Sequence, residues 1–184
     1  MRKLYLTVIG LLLSGVLLFL TGQAVAQASN ANESCRVTKV VDGDTFWATC
    51  NGKAELVRIL WVNTPDIGRS ECYARTAARF TAGHLLNKSV VLKGSGTTRD
   101  DIDRHGRALR QVFLNGQDFG ERLVHDGYAI AWFLKQAPLA DAQRLATTQY
   151  NARVARVGEW GACTHQGGFS SGAAQSSLQF GPTF

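Results

Sequence analysis

Three short stretches of the chain gather carboxylate, amide and guanidinium side chains: Asp42-Gly43-Asp44-Thr45, then Arg58 with Asn63-Thr64-Pro65-Asp66, then Asp103-Arg104-His105-Gly106-Arg107. Carboxylate and amide oxygens suit a hard divalent cation. Guanidiniums bind phosphate or carboxylate oxygens in pairs, and a carboxylate beside a water can orient it or take its proton. Each stretch alone has an ordinary structural use, because Asp-Gly-Asp is a turn signal, an Asp after Pro is commonly solvated and a loop Arg is commonly a surface charge. Arg58 is less ordinary. It interrupts AELVRILWV (54–62), a nearly continuous apolar run of the kind found in a strand covered on both faces. A guanidinium there must meet a carboxylate or open onto an anion-binding pocket.

The elements that must carry these residues are legible in outline. Residues 36–41 and 45–50 form a hairpin around the Asp-Gly-Asp turn, and 54–62 is a third strand. A helix is predicted over 70–87, capped by Ser70, with Tyr73, Ala77, Phe80 and His84 on one face and Arg75 and Arg79 on another. Strands at 89–93 and 107–114 flank a polar loop, 94–106, that is charged between Arg99 and Arg104. Asp118 and Glu121 have capping-box spacing ahead of a short helix that Gly127 stops. A third helix runs from Pro138 to Val157, with Gly158 just beyond it. Five short strands with interspersed helices imply an α+β domain built on a small β-barrel.

The 184 residues, 45% hydrophobic and 18% charged, suit one compact domain and exclude a disordered tail or a repeat array. Arg2 and Lys3 precede a 17-residue apolar run, Leu4 to Leu20, and Ala24-Val25-Ala26 follows, so residues 1–26 read as an export signal cleaved after Ala26 or Ala28. An uncleaved anchor is the alternative. Removing that segment takes away two cations and no acid, so the net charge falls from +6 to +4, a modest excess that favours a polyanionic partner. The 164–184 segment, rich in Gly, Ser and Gln, reads as a flexible tail beyond a domain spanning 33–163.

All four cysteines lie in the exported part, where an oxidising compartment lets an even number pair. The hairpin brings Cys35 opposite Cys50, which leaves Cys72 for Cys163. No C-x-x-C occurs, and no two of His84, His105, His125 and His165 have ligand spacing, so cysteine and histidine metal centres are disfavoured. Trp47, Trp61, Trp132 and Trp160 read as core or rim residues rather than a stacking platform.

In order and spacing, VVDGDTF, RILWVNTPD and DRHGR resemble the staphylococcal nuclease (thermonuclease) family, whose pattern runs D-G-D-T, R-L-x-x-V-D-T-P-E and D-x-Y-G-R. The likeness extends through GRSECYARTA, LNGQDFGERLVHDGYA and ARVARVGEWGAC, roughly Cys35 to Cys163. The resemblance implies a five-stranded OB-type β-barrel with three α-helices and a Ca2+-dependent endonuclease that hydrolyses DNA and RNA phosphodiesters, leaving 3′-phosphate ends. By the same resemblance Asp44, Asn63 and the Thr64 carbonyl are the Ca2+ ligands, Arg58 and Arg107 hold the scissile phosphate, and Asp66 acts on the attacking water. His105 stands where the family has Tyr and could stack on a nucleotide. The expected protein is a monomer, secreted or periplasmic, without stable membrane association once the signal is removed.

Two positions depart from the family pattern. Asn63 replaces a carboxylate, which keeps an oxygen ligand but removes a full charge from the cation site, so Ca2+ should bind more weakly. Asp66 is one methylene shorter than Glu, and a displacement of about 1 Å can cost on the order of a hundredfold in rate. An active enzyme with a raised calcium requirement is expected. The competing expectation is a catalytically weakened OB-type module that binds nucleic acid through a retained phosphate pocket.

Overall fold

The computed structural model describes residues 33–94, 102–133 and 137–163. Residues 1–26, expected to be an export signal, residues 164–184 with His165, expected to be a tail, and Arg99 of the expected charged loop lie outside the described residues.

Strand β1 (Glu33–Asp42) turns at Gly43-Asp44 into β2 (Thr45–Cys50), which turns again into β3 (Lys53–Ile59). β4 (Val62–Asn63) follows, then helix α1 (Ala74–Leu85), β5 (Ser89–Lys93), β6 (Ala108–Leu114) and β7 (Gln117–Asp118). Helix α2 (Phe119–His125), β8 (Ile130–Ala131), helix α3 (Leu139–Val154) and the single helical turn α4 (Glu159–Ala162) complete the chain. The main sheet runs β3-β2-β1-β5-β6-β7, and a parallel pairing of β3 with β6 closes its first five strands into a mixed barrel. With α1, α2 and α3 this is the OB-type α+β architecture. Closure removes the exposed edges that a five-stranded sheet would otherwise offer.

Alternation fills the barrel. Val37, Phe46, Ala48, Val57, Ile59, Val90, Leu92 and Val112 are almost wholly buried, each large apolar side chain contributing about 1.5–3 kcal/mol. Phe119, Leu123 and Leu145 carry the same core out under α2 and α3. Two register shifts in β1, between Val37 and Lys39 and between Val40 and Asp42, bend the strand around the barrel.

Disulfides lie between Cys35 and Cys50, which are direct partners across β1 and β2, and between Cys72 and Cys163, which are 91 residues apart. Glu33, Cys35 and Cys50 place their ligand atoms within 4.8 Å of one another, but both sulfurs are spent on the disulfide. Among the described residues no helix is long and apolar enough to cross a membrane.

Three predicted elements end elsewhere. The strand expected over 54–62 stops at Ile59, because Trp61 takes a left-handed backbone (φ 59°) and starts a turn. The helix expected from Ser70 begins at Ala74. Ser70 itself has φ 55°, its N–H donates to the Ile67 carbonyl, and no side chain caps the helix. The buried face of α1 is Ala74, Ala77, Thr81 and Leu85 rather than the expected set. Phe80 instead stacks with Tyr128 at a centroid distance of 4.0 Å and meets the tilted His84 ring at 4.2 Å. The last helix expected to reach Val157 ends at Val154, where Arg156 (φ 52°) and Gly158 (φ 59°) turn the chain into α4. Asp118 does cap α2, accepting from the Glu121 N–H at 3.2 Å, while the Glu121 carboxylate turns away to Arg144.

Candidate active site

The β1–β2 turn is built tightly. A Cβ on Gly43 would fall 2.7 Å from the Thr64 side chain, so only glycine lets the two segments approach this closely. The Thr81 hydroxyl, from α1, donates to the Gly43 carbonyl at 2.6 Å and pins the turn to the helix. Asp44, at 5% exposure, then reaches across the gap. Its Oδ2 accepts from the Thr64 N–H at 2.8 Å, and its Oδ1 accepts from the Thr45 hydroxyl at 2.9 Å.

Arg58 lies opposite Thr45 in the β2–β3 ladder, and its buried guanidinium is nearly fully engaged. Nη1 donates to the carbonyls of Ile59 (2.5 Å) and Val62 (2.7 Å), and Nη2 donates to Asn63 Oδ1 (2.9 Å) and pairs with Asp44 Oδ2 (3.2 Å). The left-handed Trp61 makes this possible by folding the Val62 carbonyl back beneath the arginine. Burial lowers the Arg58 pKa, Asp44 opposes that, and the nearby charge of Arg107 adds to it.

Arg107 enters from the loop before β6. Its Nε and Nη2 both donate to Asp103 Oδ2, at 2.8 and 2.7 Å, and Nη1 reaches Thr45 Oγ1 at 3.4 Å. Asp103 Oδ1 accepts the N–H groups of His105 and Arg107, so one carboxylate shapes the loop and aims the guanidinium. Burial would raise the Asp103 pKa, but those bonds and the Arg107 charge pull it below the usual value. Thr45 thus links Asp44 to Arg107, and Asp44 links Thr45 to Arg58. The motif at 42–45 joins the other two.

Asp66 is half-exposed at the rim. Its Oδ1 accepts from the Gly68 N–H at 2.6 Å and its Oδ2 lies 3.6 Å from Arg69 Nε. The Asp66 N–H donates to Glu71 Oε2 at 2.8 Å. Asp42 faces the same cluster. Its carboxyl is pushed up to about 6, by burial first and then by the charges of Asp44 and Asp66, against a hydrogen bond from the Gly43 N–H. Hydrogen bonds and ion pairs therefore join Asp44, Arg58, Asn63, Thr64 and, through Thr45, Arg107, while Asp66 stands at the rim, tied to them only by the push of its charge on Asp42. His105 is exposed, its ring accepting from Arg104 Nε at 3.1 Å.

Sequence reading assigned no role to Asp42, Thr45, Thr81, Asp103 or Glu71. Asp42, Thr45 and Asp103 sit inside the three motifs, so their adjacency was a signal. Nothing local marks Thr81 or Glu71, whose partners lie 38 and 5 residues away.

The donor set is all oxygen: the Asp44 carboxylate, the Asn63 amide and the Thr64 backbone, with the buried Thr64 hydroxyl lacking any hydrogen-bond partner. Such a set fits a hard cation. The push of the Asp44 and Asp66 charges on Asp42 is also what a cation would relieve.

Residues 56–162 match the family described as Staphylococcal nuclease homologue. The chain is 36% identical to a thermonuclease of Staphylococcus hyicus over 115 residues, 60% of this chain and 66% of that protein. It is 35% identical to a thermonuclease of Staphylococcus intermedius over 105 residues, 55% of this chain and 61% of that one. An uncharacterized endonuclease of Haemophilus influenzae is 26% identical over 151 residues, 82% of this chain and 78% of its own length. The chain thus spans somewhat under two thirds of the length of the two thermonucleases.

Proposed function

Because this chain belongs to the staphylococcal nuclease homologue family, we propose that it is an exported, Ca2+-dependent endonuclease that hydrolyses the phosphodiester bonds of DNA and RNA. The observation that carries this reading is the bridge from Arg58 through Asp44 and Thr45 to Arg107, at 3.2, 2.9 and 3.4 Å. It holds two guanidiniums beside one buried carboxylate, the pairing that a phosphoryl centre and its metal require.

Asp44, Asn63 and the Thr64 carbonyl would hold Ca2+, which supplies Lewis-acid withdrawal of charge from the phosphate. Arg107, together with the Nε–H that Arg58 has left, would bind the nonbridging oxygens, and the two charges would stabilise the extra charge of the five-coordinate transition state. Asp66 orients the attacking water and takes its proton. The water oxygen bonds to phosphorus, the ester P–O bond to the 5′ side breaks, and the leaving oxygen takes a proton from solvent. Asp103 keeps Arg107 in position, and Glu71 anchors the backbone of Asp66.

The two disulfides support an oxidising location, secreted or periplasmic. The proposed route there is the 1–26 segment. A monomer suffices, since every proposed site residue comes from one chain.

The alternative, a nucleic-acid-binding module with a weakened cation site, is favoured by one feature: Asn63 Oδ1 already accepts from Arg58. Release of acid-soluble nucleotides from DNA, with Ca2+ titrated into the millimolar range and chelator as control, decides between them. Calcium-dependent release is expected. Binding of DNA without release at any calcium level would leave only the module.

A further inference from the structure

The outward face of β1, β2 and β3 carries more than the site at its end. Cross-strand partners form rows on this face. Asp42, Thr45 and Arg58 make the row at the site, Lys39, Trp47 and Leu56 the next, and Arg36, Thr49 and Ala54 the third. The two register shifts in β1 place Arg36, Lys39 and Asp42, three residues apart, on one face, where plain alternation would have turned Lys39 inward. Trp47 is 37% exposed, whereas its chain neighbours Phe46 and Ala48 are wholly buried. Lys39 and Arg36 are exposed beside it. An indole held at the surface beside two cations of β1, one row from Arg58 of the proposed phosphate-binding pair, is not what packing alone would select.

We infer that this face is a binding subsite for a single-stranded polynucleotide leaving the proposed cleavage site, with one base stacked on Trp47 and backbone phosphates paired with Lys39 and Arg36. The inference rests on the reading of Arg58 and Arg107 as phosphate binders. Three observations select the occupant. The rows are continuous with the site, the charge flanking the indole is positive, and the row step of about 6.8 Å is comparable with one extended nucleotide. An aromatic platform beside a cationic track is how single strands are held without sequence preference, and β2–β3 faces of OB folds are where such strands lie. The subsite would favour polymer over short fragments and would bind unstacked bases whatever their identity.

The test uses fluorescence anisotropy of labelled thymidine di- and octanucleotides with the protein in chelator, so that no hydrolysis is needed. The octanucleotide should bind more tightly than the dinucleotide. Trp47→Ala should cut octanucleotide affinity about tenfold and narrow the length dependence, and Trp47→Phe should restore most of it. Lys39→Ala should reduce the slope of log affinity against log salt by about 0.7. Equal octanucleotide affinity for Trp47→Ala and the parent protein overturns the inference, as does a parent protein with no length preference, or a loss equal for both lengths. Calcium-dependent cleavage is scored in parallel. Cleavage with Trp47-independent affinity rejects the subsite alone, and Trp47-dependent affinity without cleavage rejects the nuclease reading alone.

Discussion

The guanidinium of Arg58 and the carboxylate of Asp44 lie 3.2 Å apart, with 8% and 7% of their side chains exposed. A charge inside an apolar strand is tolerated because its counter-charge arrives from the neighbouring hairpin turn, and each is further bonded to backbone. Removing one member of such a pair leaves the other buried and uncompensated.

The first prediction follows from that asymmetry. Asp44→Ala should lower stability by about 3–5 kcal/mol, read as a fall in the urea midpoint. The double variant Asp44→Ala/Arg58→Met should regain a substantial part of it. Equal or larger loss in the double variant would mean that the two charges stabilise the fold independently.

The cation and water positions give the second. Asn63→Asp restores a charge to the proposed cation site and a second carboxylate to Arg58, so the calcium concentration for half-maximal cleavage should fall about tenfold. Asp66→Glu should raise the rate at saturating calcium by up to about a hundredfold if reach limits the present side chain. An unchanged calcium requirement in Asn63→Asp would remove that residue from the ligand set.

Glu159 supplies a pH dependence. Both its carboxylate oxygens are buried without a hydrogen-bond partner. Burial, with a smaller push from the charge of Glu71, raises its pKa from 4.5 to about 8. The folded protein therefore keeps a proton that the unfolded chain has released. This contribution to stability is full below about pH 4.5 and is lost as pH rises through 8, a few kcal/mol in all. Glu159→Gln should flatten the profile, so that at pH 9 its denaturant midpoint exceeds that of the parent protein. A parent profile that does not fall between pH 5 and 9 relative to Glu159→Gln would refute the buried neutral acid.

The disulfides give a fourth. Replacing Cys72 and Cys163 by Ser opens a 91-residue loop and should cost about 4–5 kcal/mol, against about 3 kcal/mol for the 15-residue loop of Cys35 and Cys50. Denaturation of the two Ser pairs under identical conditions ranks them. The longer loop carries a second effect, because Cys72 adjoins Glu71, whose carboxylate holds the Asp66 backbone. Cleavage should therefore weaken more in the Cys72/Cys163 pair, at temperatures where both variants are folded.

Local patterns made much of this legible. The hairpin, with Cys35 opposite Cys50, needs only a turn signal and two alternating runs, and Asp118 caps its helix through a contact three residues long. A guanidinium at Arg58, inside an apolar run, demanded a partner, and the resemblance of the three motifs to a known family implied that Asp44, Arg58 and Arg107 belong to one cluster. By contrast Ser70 has the composition of a helix cap, yet Asp66 and Glu71 bond to each other across it and draw the chain into a left-handed turn. No Gly or Pro announces the turn at Trp61, and the apolar run reads straight through it.

By itself, then, the amino-acid order determined the kinds of element and the pairing of Cys35 with Cys50, which left Cys72 for Cys163, because a turn signal and alternating runs act over a few positions. It also demanded a partner for the buried charge of Arg58. The phosphate and cation roles followed only from the family resemblance. Tertiary structure alone decided which partners these side chains meet. Thr45 joins Asp44 to Arg107, Thr81 pins the Gly43 turn, Asn63 faces Arg58, and two bulges turn Lys39 out beside Trp47. Those outcomes depend on barrel closure and strand register, which bring distant segments within hydrogen-bond range and leave no periodic trace along the chain.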